Sequence, residues 1–188
     1  MFIVIEGGDG SGKGAHSALL ADWLREQGHE VLETSEPTGG EVGKMIRNIL
    51  QNHVTVDAKA LTLLFTADRW AHQKEIGQAL SGGKIVICDR YFLSTYVYQS
   101  VQGVDLEWIK TAHEGIKVPD LQILLDLDPE TAMGRLETSD LFENADFLKK
   151  VRERYLELND GFVVEVEEEK EKTQEKIRKV VSDFQKRN

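Results

Sequence analysis

The sequence has a single cysteine, no excess of basic residues and no long apolar run, and each shortage excludes a class of protein. Cys88 cannot form an internal disulfide, and the first residues lack the basic and apolar stretches of a secretory signal, so we predict a cytoplasmic protein. No segment approaches the roughly 18 apolar residues that span a bilayer. The 33 acidic residues outnumber the 23 basic ones, and a net charge of −10 opposes sequence-independent binding to nucleic acid. We therefore expect a soluble protein without a membrane or nucleic-acid partner.

Prolines are also scarce, and each of the three lies where a strand or helix is expected to begin or end. Pro37 follows the second predicted strand, Pro119 precedes the fourth, and Pro129 opens a helix that Asp128 is predicted to cap. No linker or repeat is visible. At 188 residues, with 40% hydrophobic residues, we predict a single domain over 1–188.

Short β-rich runs alternate with longer helical patterns along the chain. This alternation predicts βαβ units, and therefore an α/β fold with a five-stranded parallel sheet. The fourth run is almost continuously apolar, as expected for a strand that is covered on both faces. The predicted strands are Phe2–Ile5, Glu30–Thr34, Lys84–Cys88, Leu121–Leu127 and Phe162–Val166, and the predicted helices cover about 13–27, 40–51, 57–81, 91–100, 105–116 and 173–186.

A glycine-rich segment directly after the first strand has the spacing of a phosphate-binding loop (P-loop). Glycines let successive backbone N–H groups point inward, the following helix N-terminus adds positive potential, and Lys13 would reach the outer phosphates. We predict that this loop binds the phosphates of ATP. The candidate residues are Gly7, Gly8, Asp9, Gly10, Ser11, Gly12, Lys13 and Gly14.

The residues after Lys13 depart from the usual loop, in which Ser or Thr offers a hydroxyl to Mg²⁺. Gly14 and Ala15 follow the lysine here, so the metal would depend on nucleotide phosphates, water and a carboxylate from elsewhere. Asp89 follows the predicted strand Lys84–Cys88, at the carboxyl edge of the sheet where α/β proteins bind ligands. We predict that Asp89 holds Mg²⁺ through water.

Six separated groups of residues, which together extend over nearly the whole chain, resemble one family. They are Phe2–Lys13; Glu36-Pro37 with Ile46-Arg47; Leu63–Arg69; Ile87–Tyr91; Leu93–Thr95 with Tyr98-Gln99; and Val151–Leu158. In this order they resemble the thymidylate kinase family, which transfers the γ-phosphate of ATP to dTMP. The resemblance implies a P-loop kinase fold with a parallel sheet flanked by helices, a short lid at about 137–146, Mg²⁺ as cofactor, and a homodimer.

The resemblance also implies roles for individual residues. Phe65 would stack on the pyrimidine, and Arg69 would hydrogen-bond a base carbonyl, with Thr95 and Gln99 at the base edge. Asp9 and Tyr98 would favour deoxyribose, Arg90 would hold the acceptor phosphate, and Arg47 would assist it. The implied substrate-binding residues are Asp9, Glu36, Arg47, Phe65, Arg69, Arg90, Thr95, Tyr98 and Gln99, and the implied catalytic residues are Lys13, Asp89, Arg90 and Arg135.

Without the family, several of these residues have ordinary structural interpretations. Phe65 lies in an apolar helical pattern and Tyr98 in an aromatic one, both typical of core packing, whereas Asp68 and Arg69 would form an exposed pair on a helix. Cys88 is predicted to be a buried strand residue. The histidines lack any metal-ligand grouping, and we predict surface or capping positions for all five, which are residues 16, 29, 53, 72 and 113.

The sequence lacks the catalytic arginine that the resemblance implies. Gly10 occupies its position in the phosphate loop, Leu141 occupies the basic position of the lid, and Ser35 replaces an arginine that often precedes Glu-Pro. We predict that Arg135, with Arg152 as a helper, closes over the phosphates instead.

Two alternatives remain open at this stage. One is a kinase for another pyrimidine monophosphate, such as dUMP or dCMP, because Thr95 and Gln99 permit more than one base orientation. The other is a nucleotide-binding protein with weak catalysis, which the missing hydroxyl and arginines would favour.

Overall fold

A computed structural model describes residues 1–135 and 145–187, and its centre is one parallel sheet. The strand order is β2-β3-β1-β4-β5, so the predicted five-stranded parallel sheet is confirmed. Most of the lid predicted at about 137–146 lies outside the described residues. The strands are β1 (Phe2–Gly7), β2 (Val31–Ser35), β3 (Ile85–Asp89), β4 (Leu121–Asp126) and β5 (Phe162–Glu165).

Eight helices in the described residues connect or flank these strands. They are α1 (Lys13–Glu26), α2 (Glu41–Gln51), α3 (Ala58–Ser81), α4 (Phe92–Val101), α5 (Leu106–Ala112), α6 (Pro129–Arg135), α7 (Ala145–Leu158) and α8 (Lys170–Gln185). The helix predicted over 105–116 ends at Ala112, and Gly115 continues in the left-handed region with φ of 85°. No prediction covered α7. As predicted, Asp128 caps α6, because its carboxylate accepts from the N–H groups of Glu130 and Thr131 at 3.0 and 3.2 Å.

Both faces of the central strands β1, β3 and β4 are buried, which explains their continuous apolar sequences. Alternate residues of β1 serve opposite faces: Ile3 packs with α1 and α8, whereas Val4 packs toward α3 together with Cys88. Cys88 is fully buried, as predicted. Among the described helices, none combines the length and the hydrophobicity needed to cross a bilayer.

The register of the sheet brings the predicted loops and side chains to one edge. Ile5 of β1 lies opposite Asp89 of β3, and Gly7 lies opposite Leu125 of β4. The glycine-rich loop, the end of β3 and the end of β4 therefore meet at the carboxyl edge, where ligand sites form in parallel sheets.

Candidate active site

The glycine-rich loop passes tightly between β1 and α1, and its backbone requires glycine at several positions. Gly10 and Gly12 have φ of 77° and 82°. A Cβ on Gly7 would lie 2.7 Å from the carbonyl oxygen of Leu125, so the loop is pressed against β4. Lys13, the first residue of α1, donates from Nζ to the Gly8 carbonyl at 2.8 Å. The loop thus has the shape of a phosphate cradle, with its lysine at the helix N-terminus.

Lys13 is buried and lies beside another cation, and both features lower its pKa. Burial, together with the positive charge of Arg90, lowers the pKa of Lys13 to about 8. Neighbouring carboxylates, among them Asp9 and Asp89, only partly offset this. An anionic ligand in the loop would favour the charged form of the lysine.

Asp89 lies at the end of β3 next to the position where the usual loop has a hydroxyl. A Cβ on Gly14 would lie 3.3 Å from Oδ2 of Asp89, so the carboxylate borders the space that a Ser or Thr side chain would use. The other oxygen, Oδ1, is buried without a hydrogen-bond partner. In residues 1–135 and 145–187 no three Asp, Glu, His or Cys side chains form a metal-binding group. A single free carboxylate suits a hydrated metal ion that is held mainly by its nucleotide.

Arg90 connects the phosphate loop with α4. Its φ of 67° is in the left-handed region, which is uncommon for a residue with a side chain and is found at functional sites. Its guanidinium forms a short ion pair with Asp9 and donates to the Gly7 carbonyl and to Ser94 Oγ, each at 3.1 Å. Tyr98 donates from its hydroxyl to Asp9 at 2.7 Å. The structure therefore brings Asp9, Arg90 and Tyr98 together.

A buried carboxylate that sequence reasoning missed supports Arg90 from behind. Glu6 is fully buried; it accepts from the Tyr91 N–H at 2.9 Å and from Ser94 Oγ at 2.6 Å, and burial raises its pKa. Tyr155 of α7 donates to the same carboxylate at 3.3 Å, and Arg90 donates to Tyr155 at 3.3 Å. The signal was present in the sequence, since an acid at the end of an apolar strand needs buried partners.

A pocket opens beside Arg90, between α3 and α4, and it contains most of the predicted substrate-binding residues. Phe65 is half-buried and presents its ring there. Arg47 does not line this pocket; its guanidinium donates to the carbonyls of Pro37 and Thr38, each at 2.5 Å. The lining residues are Asp9, Glu36, Pro37, Leu50, Phe65, Arg69, Arg90, Tyr91, Ser94, Thr95, Tyr98 and Gln99.

Gln99 is the unsatisfied polar group of this pocket. It is 1% exposed, and neither its amide oxygen nor its amide nitrogen has a hydrogen-bond partner. Leaving a buried donor or acceptor unpaired costs about 1–3 kcal/mol. The amide therefore favours a ligand that offers a donor and an acceptor side by side.

Asp68 and Arg69 form no exposed pair, so the interpretation that leaves the family resemblance aside is wrong for these two residues. Arg69 is 1% exposed and donates to Glu36 Oε2 at 2.7 Å and to Thr95 Oγ1 at 3.1 Å. Asp68 is also buried, and it accepts from the backbone N–H and hydroxyl of Thr38 at 2.7 and 2.6 Å. Both side chains turn inward because partners from the loop after β2 and from α4 satisfy their charges.

The expectation of surface or capping histidines is wrong for His16 and His72, which are buried inside α1 and α3, whereas His113 is buried but is the C-cap residue of α5. Each has a polar partner that offsets the cost of burial: Nδ1 of His72 lies 3.0 Å from Glu36 Oε1, and Nδ1 of His16 lies 2.9 Å from Gln174 Oε1. Nε2 of His113 lies 2.5 Å from Nη1 of Arg69.

The arginines predicted to close over the phosphates have different surroundings. Arg135 is exposed at the end of α6. Its charge acts on His16 in the first turn after the phosphate loop, which places Arg135 near that loop. Burial lowers the pKa of His16, and the positive charges of Lys170 and Arg135 lower it further. Arg152 forms a two-pronged ion pair with Asp126 at 2.6 and 2.8 Å. Arg152 is therefore already paired, and Arg135 remains accessible.

Comparisons with known proteins all lead to one family. The family model described as thymidylate kinase matches residues 5–179. A probable thymidylate kinase of Methanocaldococcus jannaschii is 48% identical over 162 residues, covering 86% of this chain and 83% of that protein. Its counterpart in Pyrococcus horikoshii is 43% identical over 171 residues, with the same coverage of 86% and 83%. A solved thymidylate kinase of Candida albicans superposes with a TM-score of 0.88 at 25% identity, covering 98% of this chain and 92% of that one.

Proposed function

The chain belongs to the thymidylate kinase family and transfers the γ-phosphate of ATP to dTMP, and we propose that the site described above performs this reaction. ATP would occupy the glycine-rich loop, and dTMP would occupy the pocket between α3 and α4. The observation that carries this assignment is the buried, unpartnered amide of Gln99 at the wall of that pocket. A pyrimidine that carries a carbonyl oxygen and an N–H at neighbouring ring positions would satisfy both the amide nitrogen and the amide oxygen of Gln99.

Arg69 supports the choice among pyrimidines. A guanidinium can only donate hydrogen bonds, so it prefers a base whose outer edge carries a carbonyl oxygen over one that carries an amino group. Thymine and uracil have a carbonyl at that position, whereas cytosine has an amino group. Phe65 adds an aromatic face on which the base can stack. We therefore propose dTMP as the preferred acceptor, with dCMP disfavoured.

Asp9 and Tyr98 support a preference for deoxyribose. The Tyr98 hydroxyl is engaged by Asp9, and its ring lies 5.3 Å from the Arg90 guanidinium carbon, so the tyrosine is fixed between phosphate and base subsites. We assign Tyr98 to the sugar, where a 2′-hydroxyl would collide with the ring, and Asp9 to the 3′-hydroxyl.

The function is tested by initial rates of phosphoryl transfer from Mg-ATP to dTMP, dUMP, dCMP, AMP and the ribonucleotide counterpart of dTMP. We expect dTMP to be preferred, and Gln99→Leu to lower kcat/KM for dTMP by about 10² or more, because an amide built to bind a base edge discriminates by such factors. Gln78→Leu, the same change at an exposed position of α3, serves as the control. Comparable rates on all acceptors would indicate a broad nucleotide kinase, and binding without transfer would indicate a catalytically weak nucleotide-binding protein.

Phosphoryl transfer depends on positioning and on neutralising charge, and the residues of this site supply both. An oxygen of the dTMP phosphate attacks the γ-phosphorus, and ADP leaves. Lys13 and the loop amides would hold the donor phosphates, while Arg90 would hold the acceptor phosphate in line with them. No side-chain nucleophile is needed.

We propose that Asp89 binds Mg²⁺ through water, because its Oδ1 is buried without a partner. Mg²⁺, when bound, neutralises charge on the donor phosphates. Asp89→Asn is expected to raise the Mg²⁺ concentration for half-maximal rate by about 10-fold or more. A Mg²⁺ titration at saturating ATP and dTMP measures this, and an unchanged midpoint would remove Asp89 from the metal site.

Arg135 is proposed as the catalytic arginine that the loop and lid lack. Its exposed position near His16, on the donor side, supports the assignment. Arginines that neutralise transferring phosphates contribute about 10³ or more to rate. Arg135→Ala is therefore expected to lower kcat strongly, with Arg178→Ala on α8 as a control; a kcat within about threefold of the parent would rule Arg135 out.

Exposed apolar side chains on α2 and α3 support a homodimer. Leu63 and Trp70, two helical turns apart on α3, are 51% and 48% exposed, and Met45 of α2 is 55% exposed. We propose that a second copy of the chain covers this face. Sedimentation at micromolar protein concentration should give a mass twice the 21.2 kDa of one chain. Leu63→Glu should lower the sedimenting mass to that of the monomer.

We also assign the protein to the cytoplasm. Cys88 is a free, buried thiol, which suits a reducing compartment. Fractionation of the source cells, with detection of the protein in the soluble or the membrane fraction, tests this assignment.

A further inference from the structure

His113 lies directly behind Arg69, outside the pocket. It follows the last residue of α5 and is 4% exposed. Its Nδ1 lies 2.7 Å from the Ile109 carbonyl oxygen, and its Nε2 lies 2.5 Å from Nη1 of Arg69. The imidazole is thus fixed at both nitrogens, once to its own helix and once to the arginine.

The partners of the two nitrogens determine where the proton is. A carbonyl oxygen only accepts, so Nδ1 carries the hydrogen that it donates to Ile109. A guanidinium only donates, so Nε2 must present its lone pair to Arg69. The ring is therefore neutral. In agreement with this geometry, burial and the charge of Arg69 lower the pKa of His113 to about 4.

Arg69 is held on three sides by elements that are distant in the chain. Its N–H groups are engaged by Glu36 after β2, by Thr95 of α4 and by His113 after α5. These three contacts use three of the five N–H groups of a guanidinium, which leaves two for a ligand. The guanidinium carbon also lies over the ring of Tyr91, 5.3 Å from the ring centroid.

We propose that His113 is a positioning residue for acceptor recognition: its neutral ring fixes the Arg69 guanidinium so that the remaining N–H groups meet the carbonyl edge of the base. The inference rests on the proposed function, which assigns Arg69 to the pyrimidine. The Thr66 hydroxyl donates to the Thr62 carbonyl at 2.8 Å and lies 3.5 Å from Nε2, and it is not one of the three acceptors that hold Arg69. Without an acceptor at Nε2, one buried N–H of Arg69 loses its partner.

Two substitutions of His113 separate this role from simple packing. In His113→Asn the shorter amide keeps a donor near the Ile109 carbonyl but does not reach Arg69. In His113→Gln the longer amide brings its oxygen to the position of Nε2. We expect His113→Asn to raise KM for dTMP about tenfold, because the variant loses one hydrogen bond to a charged group. KM for ATP should stay within about twofold of the parent value. Gln should restore KM for dTMP to within about threefold of the parent.

A double-mutant cycle with Arg69→Met tests whether His113 acts through Arg69. If it does, adding His113→Asn to Arg69→Met should change KM for dTMP by less than about twofold. Ile109→Val, a buried change on the same helix, controls for loss of stability, and thermal unfolding is measured for every variant.

The outcomes distinguish the inference from the function on which it rests. If Arg69→Met raises KM for dTMP but His113→Asn does not, the positioning role is overturned and the site assignment stands. If Ile109→Val raises KM for dTMP as much as His113→Asn does, or if His113→Gln does so while unfolding at the parental temperature, His113 acts by packing. The positioning role is then also overturned. If Arg69→Met itself leaves KM for dTMP unchanged, the placement of the base beside Arg69 is wrong, and the inference falls with it.

Discussion

Replacing Arg90 with methionine is expected to lower kcat/KM for dTMP by about 10³, because arginines that neutralise phosphates in phosphoryl transfer contribute on that scale. Arg90 is the cation that connects the two halves of the site, through its ion pair with Asp9 of the phosphate loop and its contacts with Ser94 and Tyr155. Methionine retains much of the aliphatic side chain but no charge. Initial rates with varied dTMP at saturating ATP measure the effect.

Two further variants control this experiment. Arg90→Lys keeps the charge but not the planar fork, so an intermediate loss of rate is expected. Arg25→Met removes an exposed arginine of α1 that pairs with Asp22, and its rate should equal that of the parent. A loss of less than tenfold for Arg90→Met, in a protein that unfolds at the parental temperature, would contradict the assignment of Arg90 to the acceptor phosphate.

Replacing Lys13 with methionine is expected to lower kcat/KM for ATP by about 10² to 10³, since one preorganised donor to a developing oxyanion contributes that much. The side chain is buried at the start of α1, and methionine fits a space of similar length. Lys84→Met, at an exposed lysine that precedes β3 at the opposite edge of the sheet, is the control.

The pH dependence adds a second test of Lys13. Its pKa is lowered to about 8 in the free protein, so the ammonium loses its proton as pH rises through that value. The phosphates of ATP favour the charged form, and binding therefore takes up a proton above pH 8. KM for ATP should rise between about pH 8 and 9 in the parent and stay level in Lys13→Met. A flat profile in the parent would show that Lys13 is already fully charged in this range.

Local sequence patterns were sufficient to predict the sheet and the phosphate loop. The apolar runs around Ile3 and Ile123 are buried along almost their whole length, and Gly10 and Gly12 adopt the left-handed backbone that the loop needs. These features depend on residues that are neighbours in the chain, so periodicity and spacing reveal them.

The buried polar contacts could not be predicted in this way, because their partners are far apart in the chain. Arg69 is paired with Glu36, 33 residues before it, and with His113, 44 residues after it. A helical pattern around Arg69 shows only that the residue is polar, and the ordinary inference is then exposure. Glu6 and Tyr155 are separated by 149 residues, and only the folded sheet brings them together.

The narrow gap between position 14 and Asp89 has a consequence for how this sequence can change over evolutionary time. Any side chain at residue 14 would begin 3.3 Å from Oδ2 of Asp89, a separation that few Cβ atoms tolerate without movement of their neighbour. A mutation that restored the hydroxyl of the usual phosphate loop would therefore require the carboxylate proposed to serve in its place to move by a few tenths of an ångström. Substitutions at residues 14 and 89 are therefore expected to be coupled, because the cost of a side chain at residue 14 depends on how far the side chain of residue 89 can move.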